Sequence, residues 1–425
     1  MLKIKDVRWY IIVVLLMLAT TINYIDRTSL AVAFPTLKKE LNINEQQFSY
    51  IIMCFQFTYL VMQPISGRIV DWLHVKKGFS LAVIWWSIAN MLHALARVPL
   101  SFGICRSLLG VGEAANFPGL AKTVSEWFPP KERTVATGIA NIGAGTGIMV
   151  ATPLVAWIIL MWGWQQAFVV TGALGFVWLI FWLLLYHPPA KHFLITSEEL
   201  AIVQKSHNDF NVREEEAEKG VWKVVLRQKN FWGLGISRFF SEPSWQFFAN
   251  WIPIYLATQR GLDIKQIGMF AWVPFLASNL GSLVGGFISP FFHKLGVSIL
   301  TSRKLAVTAS ACIMPVTLLI AAAPSVGWAI FWFCCGAFSH SAVSATLLTL
   351  PADLFPKRTV ATANGLSGSC AHFGGMLSTF VVGWIVVHIG YAPVFVFIAF
   401  LELVAAAFLW IFLRNPRSNQ AAGAD

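Results

Sequence analysis

Charge is scarce in this sequence: only 12% of its 425 residues are Asp, Glu, Lys or Arg, about half the share of an average soluble protein. That scarcity excludes a disordered chain, a secreted domain and an ordinary cytosolic enzyme. Cysteine is sparse as well. Cys54, Cys105, Cys312, Cys334, Cys335 and Cys370 all lie in apolar stretches without metal-ligand spacing, which excludes a disulfide framework and a zinc site. No Walker A loop ending in Lys-Ser/Thr occurs. Gly143-Ala144-Gly145-Thr146-Gly147 has no strand before it, so nothing points to ATP as an energy source. The histidines near the apolar blocks do not cluster, and no nucleophile–base pair stands out, so the chain is not expected to be an enzyme. A small-residue cleavage site is also missing after the first apolar run, which is therefore expected to be kept as a span.

What the sequence does have is apolar bulk: 57% hydrophobic residues, with 19 Trp and 34 Phe. A membrane-crossing helix takes about 20 such residues. Apolar blocks fall at 9–35, 46–70, 79–97, 100–123, 135–157 and 165–186, and again at 230–256, 266–292, 303–322, 326–350, 360–387 and 391–413. These lengths are too great for transmembrane strands, which need about 9–11 residues each. The expected fold is an all-α membrane protein of twelve transmembrane helices in two six-helix bundles, 1–186 and 230–425, joined by a cytoplasmic linker at 187–229. Pro188-Pro189 ends the sixth helix. Thr196-Ser197-Glu198-Glu199 reads as a capping box opening a short helix through Leu200, Ile202 and Val203. Glu214-Glu215-Glu216 reads as a solvated linker face.

Orientation follows from the basic residues. With both termini in the cytoplasm, 23 of the 31 Lys and Arg fall on the cytoplasmic side and 5 on the other, as the positive-inside rule requires. The net charge of +11 thus reflects retained loops, and no nucleic-acid partner is expected.

The halves also repeat. FPPKERTVATGIANIGAGTGIM (128–149) precedes and enters span five, and FPKRTVATANGLSGSCAHFGGM (355–376) does the same for span eleven. The pentapeptide RTVAT occurs at 133–137 and 358–362, each before a glycine-rich span. Internal duplication of this kind marks secondary transporters, and the small residues permit close helix packing.

Ionised groups at membrane depth cost roughly 2.5–3.5 kcal/mol on insertion scales, yet Asp26, Arg27, Arg106, Glu113, Arg238 and Glu242 all lie inside spans. Each is a candidate for substrate or proton handling. Arg106 and Glu113, seven residues apart, share a helix face about 10 Å apart along the axis. Arg238 and Glu242 can meet as an i,i+4 pair. The depths of Asp26 and Arg106 allow a contact between them. Glu402 has no charged neighbour on its own helix and is expected to play no part. Asp71, near Arg68, Lys76 and Lys77, sits at a cytoplasmic turn and is expected to gate. Tyr59, Gln63, Trp245, Gln246, Asn250, Trp251, Asn364, Ser367, Ser369 and His372 add hydroxyls, amides and aromatic faces suited to a sugar.

NYIDRTSLAVAFP (23–35), RSLLGVGEAANFPG (106–119), EWFPPKERTVATG (126–138) and SEPSWQFFANWIPIYL (241–256) resemble the major facilitator superfamily. Within it they resemble the anion:cation symporters, nearest the bacterial hexuronate transporters. The resemblance implies a cavity lined by spans one, four, seven and ten, with Arg27 and Tyr59 on the organic anion. It implies that Asp26 and Glu113, with Arg106 between them, handle the proton, and it makes Arg238 with the SEPSW stretch the pointer to hexuronates. The expected substrate set is Arg27, Tyr59, Arg238, Trp245, Gln246, Asn250, Trp251, Asn364 and His372, and the proton set Asp26, Arg106, Glu113 and Glu242. The family's loop signature Gly-x-x-x-Asp-Arg/Lys-x-Gly is altered: Gly67 and Asp71 remain, but Trp72 and His74 replace the basic and glycine positions. The corresponding turn GFISPFFHKLG (286–296) has no acid. The expectation is a monomeric, multi-pass inner-membrane symporter importing a hexuronate with protons by alternating access, with no cofactor and the lipid bilayer as its surroundings. The alternative is an uncoupled uniporter or exchanger of a related sugar acid such as galactonate.

Overall fold

In the computed structural model, which describes residues 6–43, 45–208, 221–262, 266 and 270–414, the apolar blocks become helices. Hydrocarbon offers no hydrogen bonds, so a spanning backbone must satisfy its own donors and acceptors. Among the described residues there are fourteen α-helices and no strand. They are α1 (Val13–Leu41), α2 (Glu45–Leu92), α3 (Pro99–Glu113), α4 (Asn116–Trp127), α5 (Arg133–Trp162), α6 (Trp164–Leu185), α7 (Ser197–Asn208) and α8 (Val221–Arg227). The rest are α9 (Lys229–Arg260), α10 (Val273–Lys294), α11 (Ile299–Ala311), α12 (Val326–Leu354), α13 (Val360–His388) and α14 (Ala392–Phe412).

Nine helical stretches among the described residues are long and apolar enough to cross a bilayer, and three local features account for the difference from twelve. First, α2 holds spans two and three, which meet at His74 with φ 61° and ψ 158°. That backbone region is nearly reserved for glycine and costs about 1–3 kcal/mol for other residues, which explains why a glycine suits this position in the family signature. Second, span four is split into α3 and α4 at Ala114-Ala115. Pro118 has no N–H for the Ala114 carbonyl, and its ring crowds that oxygen. The helix therefore breaks immediately after Glu113. Third, α9 is 32 residues long but carries Arg238, Ser241, Glu242, Ser244 and Gln246, a polarity that lowers its hydropathy. A tight reversal at Gly163, with φ 90°, joins α5 to α6; glycine adopts that angle without a Cβ clash.

Packing divides the chain into two compact units. The first comprises residues 1–129, 139–217 and 356–366; the second comprises 130–138, 218–355 and 367–425. Each unit thus takes in a short segment from the other half of the sequence, and those segments contain the two RTVAT copies.

In the first unit, a Cβ on Gly67 would collide with the Ala361 carbonyl, and one on Gly365 with the Gln63 carbonyl. The Asp71 carboxylate accepts from the backbone N–H (2.8 Å) and hydroxyl (2.7 Å) of Thr362 and pairs with Lys122 at 3.2 Å. In the second unit, a Cβ on Gly138 would collide with the Ser282 carbonyl. There Arg133 pairs with Asp353 at 3.0 Å and Arg303 with the same carboxylate at 2.9 Å.

The linker contributes α7. Thr196 caps it by accepting from the Glu199 N–H at 3.2 Å. The Glu199 side chain does not complete the expected capping box. It turns to the N-terminus instead, accepting from the Val7 and Arg8 N–H groups at 3.1 and 3.0 Å and pairing with the Arg8 guanidinium. Free N–H groups at a helix start attract a carboxylate, and here two helices compete for one. Val203 is buried while Ile202 is 46% exposed, so the apolar face is narrower than expected. The Glu214-Glu215-Glu216 stretch lies outside the described residues.

Candidate functional site

The first unit gathers its buried charges where α1, α2 and the α3–α4 break meet. Arg27 is the accessible member: its side chain is 16% exposed, whereas that of Glu113 is fully buried. The Arg27 guanidinium lies over three aromatic rings, Tyr59 at 4.4 Å, Tyr24 at 4.9 Å and Phe55 at 5.2 Å from the ring centroids. Stacked rings favour a cation and hold its plane in place. From this cage the Arg27 Nε–H donates to Glu113 Oε2 at 2.6 Å, a short charge-assisted bond. A guanidinium carries five N–H donors, and the Nη2 of Arg27 has no hydrogen-bond partner. The fork is therefore only partly engaged, with Glu113 on its Nε side.

The neighbouring groups differ from expectation in two ways. Asp26 and Arg106 do not pair. Asp26 Oδ1 accepts from Asn90 Nδ2 at 2.6 Å, and Asn90 also donates to Thr171 Oγ1 at 2.8 Å. Arg106 Nη2 instead donates to the Arg27 backbone carbonyl at 3.1 Å, whose second lone pair is free to accept. Equal depth made a contact possible, but helix rotation directs the two side chains elsewhere. The group that holds Glu113 is accordingly Arg27 rather than Arg106. Asn90, Tyr24 and Phe55 were not singled out in the sequence. Asn90 had one legible signal, as an amide in the otherwise apolar block 79–97.

In the second unit α9 presents its polar residues to α12, α13 and α14. Arg238 Nη1 donates to Ser367 Oγ at 2.9 Å, and Gln246 donates to Glu242 at 3.2 Å. Trp245 stacks on His340, with ring centroids 5.8 Å apart, and meets Phe275 edge-on. Gln246 and Glu242 lie against Gly375. Trp251 packs in the apolar cluster beside Tyr391. It sits thirteen residues from Arg238, about 20 Å along the helix, so the two do not share one small site. Asn364 and Ser367 are buried on α13 and His372 is half-buried there; the side chain of Asn250 lies outside the described residues. Glu402 is not isolated as its own helix suggested. It accepts from His340 Nδ1 at 2.8 Å and from Ser241 at 3.0 Å, partners on other helices that no local pattern reveals. Among the described residues no group of His, Cys, Asp and Glu could hold a metal ion.

Known proteins resemble this chain in sequence and fold. The profile described as Major Facilitator Superfamily matches residues 16–301 and 297–425. A hexuronate transporter of Escherichia coli (strain K12) is 39% identical over 99% of this chain and 98% of its own length. A galacturonate transporter of Dickeya chrysanthemi is 38% identical over 83% of this chain and 99% of its own. Among solved structures, the proton:xylose symporter XylE bound to 6-bromo-6-deoxy-D-glucose superposes with a TM-score of 0.77 at 12% identity, over 95% of both chains. The human organic anion transporter TETRAN gives 0.72 at 15% identity, over 93% of this chain and 98% of its own. Identities that low speak to the fold alone. A family profile across the chain, full-length relatives near 40% identity and a twelve-span helical fold lead to one conclusion: the chain belongs to the Major Facilitator Superfamily and is a multi-pass membrane transporter, not an enzyme.

Proposed function

We propose that this transporter imports a sugar acid, specifically a hexuronate such as glucuronate or galacturonate, together with protons across a bacterial inner membrane, its termini cytoplasmic. The observation that carries the reading is the caged Arg27 bonded to Glu113 at 2.6 Å. A hexuronate carboxylate and the Glu113 carboxylate want the same guanidinium. Protonating Glu113 removes its charge, weakens its hold and leaves Arg27 free for a two-pronged bond to the sugar's carboxylate. Substrate arriving at Arg27 in turn favours the protonated Glu113. Proton and anion thereby bind together, and the coupling is reciprocal. The 39% identity to a hexuronate transporter supports the choice of sugar acid. Asp26, held by Asn90, is the second acid of this unit, and Arg238 beside Trp245 and Gln246 supplies a cation and sugar-facing surfaces in the other. Asp71, clamped on Thr362 and Lys122, serves the gating step.

The test is uptake in proteoliposomes under an imposed pH gradient, set against counterflow at symmetrical pH. Glucuronate and galacturonate should accumulate and should compete with each other, while neutral glucose should not compete. Glu113→Gln should bind and exchange substrate yet lose its response to pH between 5 and 8. Accumulation by Glu113→Gln on a proton gradient alone would refute the coupling. Counterflow without accumulation in the unaltered protein would identify an uncoupled exchanger.

A further inference from the structure

The second unit contains a buried acid–base pair that the scheme above leaves unused. Glu402 on α14 is 0% exposed and His340 on α12 is 5% exposed. Glu402 Oε1 accepts from both His340 Nδ1 (2.8 Å) and Ser241 Oγ (3.0 Å), while Oε2 is buried with no hydrogen-bond partner. Three helices, α9, α12 and α14, are tied together at this point.

Proton bookkeeping sets what the pair can do. Nδ1 must carry a hydrogen to donate to Glu402. If that is the only one, the imidazole is neutral and Glu402 leaves a net negative charge in an apolar interior, which is expensive. One further proton abolishes that charge, either on the imidazole, giving an ion pair, or on the carboxyl, where Oε2 is available. The site thus holds one exchangeable proton with two places to rest, and its slightly exposed imidazole is the point of exchange.

Charged groups on the neighbouring helices have partners of their own. On α9, Arg238 lies three residues from Ser241, about one helical turn, and is bonded to Ser367. Glu242 is turned to Gln246. Asp353 at the end of α12 is held by Arg133 and by Arg303 of α11, thirteen residues from His340. Lys304 of α11 reaches the Leu413 carbonyl, and His293 and Lys294 close the far end of α10. On α13, Cys370 and His372 lie within the helix and His388 at its end. Arg260 is engaged by Tyr255 and the carbonyls of Ile320 and Ala323. The imidazole stacks on Trp245, seven residues along α9 from Arg238, about two helical turns.

We propose that His340 and Glu402 form a second proton-carrying site, which takes up one proton as substrate loads and gives it back when the substrate leaves. This rests on the proton-symport reading and extends it from the Arg27 cluster to the other unit. The scheme needs no other reactant, because the proton enters and leaves by the imidazole.

The test measures the proton-to-substrate coupling ratio from reversal potentials in proteoliposomes, for the unaltered protein, Glu402→Gln and His340→Gln. The expected result is a ratio lower by one in both variants, with glucuronate counterflow retained. An unchanged ratio in either transport-competent variant overturns the proposal and assigns the pair to helix packing. A ratio of zero in the unaltered protein removes the symport reading itself, a distinguishable outcome. If neither variant reaches the membrane, nitrogen-15 NMR of the histidine rings in the unaltered protein decides. The His340 ring should gain a proton when glucuronate binds. A single protonation state throughout would overturn the inference.

Discussion

The two units place buried charge in different ways. In the first, a guanidinium and a carboxylate bond directly, and Asp26 and Arg106 stand beside them on amide and carbonyl partners. In the second, the arginine is bonded to a serine hydroxyl and the acid is matched to a histidine. Two halves that share the RTVAT repeat have thus diverged in chemistry. A full charge pair is costly to separate and suits a step that must be all or none, whereas the Arg238–Ser367 bond is to a neutral hydroxyl.

The contrast breaks most visibly at the arginines. Arg27→Ala strands Glu113 in the interior, and breaking a buried pair costs about 3–5 kcal/mol. Glucuronate uptake in proteoliposomes should fall by more than about 100-fold. Arg27→Lys should still lose at least about tenfold, since an ammonium lacks the planar fork. Ser367→Ala takes a hydroxyl acceptor from Arg238, a bond to a charged group of about 1.5–3 kcal/mol, and should cost less than Arg27→Lys. Equal damage from Ser367→Ala and Arg27→Lys would erase the distinction between the units.

Asn90→Ala is the next largest. It takes the donor from Asp26, a hydrogen bond to a charged group of about 1.5–3 kcal/mol, and should reduce gradient-driven uptake by roughly ten- to a hundredfold while sparing counterflow more. Equal loss of both activities would make Asn90 a packing residue.

The close approaches offer a matched pair. Gly365→Ala and Gly138→Ala each push a methyl into a facing carbonyl, and overpacking costs about 1–3 kcal/mol. Both should lower the melting temperature in detergent by several degrees. A large effect from one and none from the other would show that the two close approaches carry unequal packing load.

His74→Gly should act in the opposite direction. Relieving a φ of 61° at a non-glycine residue is worth about 1 kcal/mol or more, so this variant should melt higher than the unaltered protein. A lower melting temperature would mean that the His74 side chain contributes more than its backbone costs.

The smallest effect lies in the linker, outside both charge clusters. His192 donates through Nε2 to the Leu185 carbonyl at 2.9 Å and accepts at Nδ1 from the Leu194 N–H at 3.2 Å, so only the neutral ring satisfies both bonds. Burial holds His192 below the usual histidine range. A group whose folded pKa is lowered contributes stability that is complete above its ordinary value, about 6.5, and lost as pH falls through the folded value. The unaltered protein should therefore melt lower at pH 5 than at pH 7.5 by slightly more than His192→Gln does. Identical pH profiles would remove His192 from the account.

Much of this was legible residue by residue. The helix-forming blocks and the buried ionisable groups follow from local composition, because burying a bare peptide or charge in hydrocarbon is penalised wherever it occurs. Even Glu402 could have been kept by that rule; the lack of a charged neighbour on its own helix was the wrong reason to set it aside. The break after Glu113 was also written locally, in Pro118, although the block around it reads as one span. The His74 backbone was foreshadowed by a histidine standing where the family signature has glycine.

What the sequence determined alone is the inventory: membrane helices, a duplicated half and a short set of expensive charges. Which acid meets which base was decided by the tertiary structure. Arg27 finds Glu113 across 86 residues, Asp26 finds Asn90 across 64 and His340 finds Glu402 across 62. Spacing along one helix predicts only contacts within it. Partners on separate helices depend on how far each helix is rotated and shifted. Those few degrees and ångströms are set by the joint fit of small residues such as Gly143 and Gly147 against α1, which no single segment encodes.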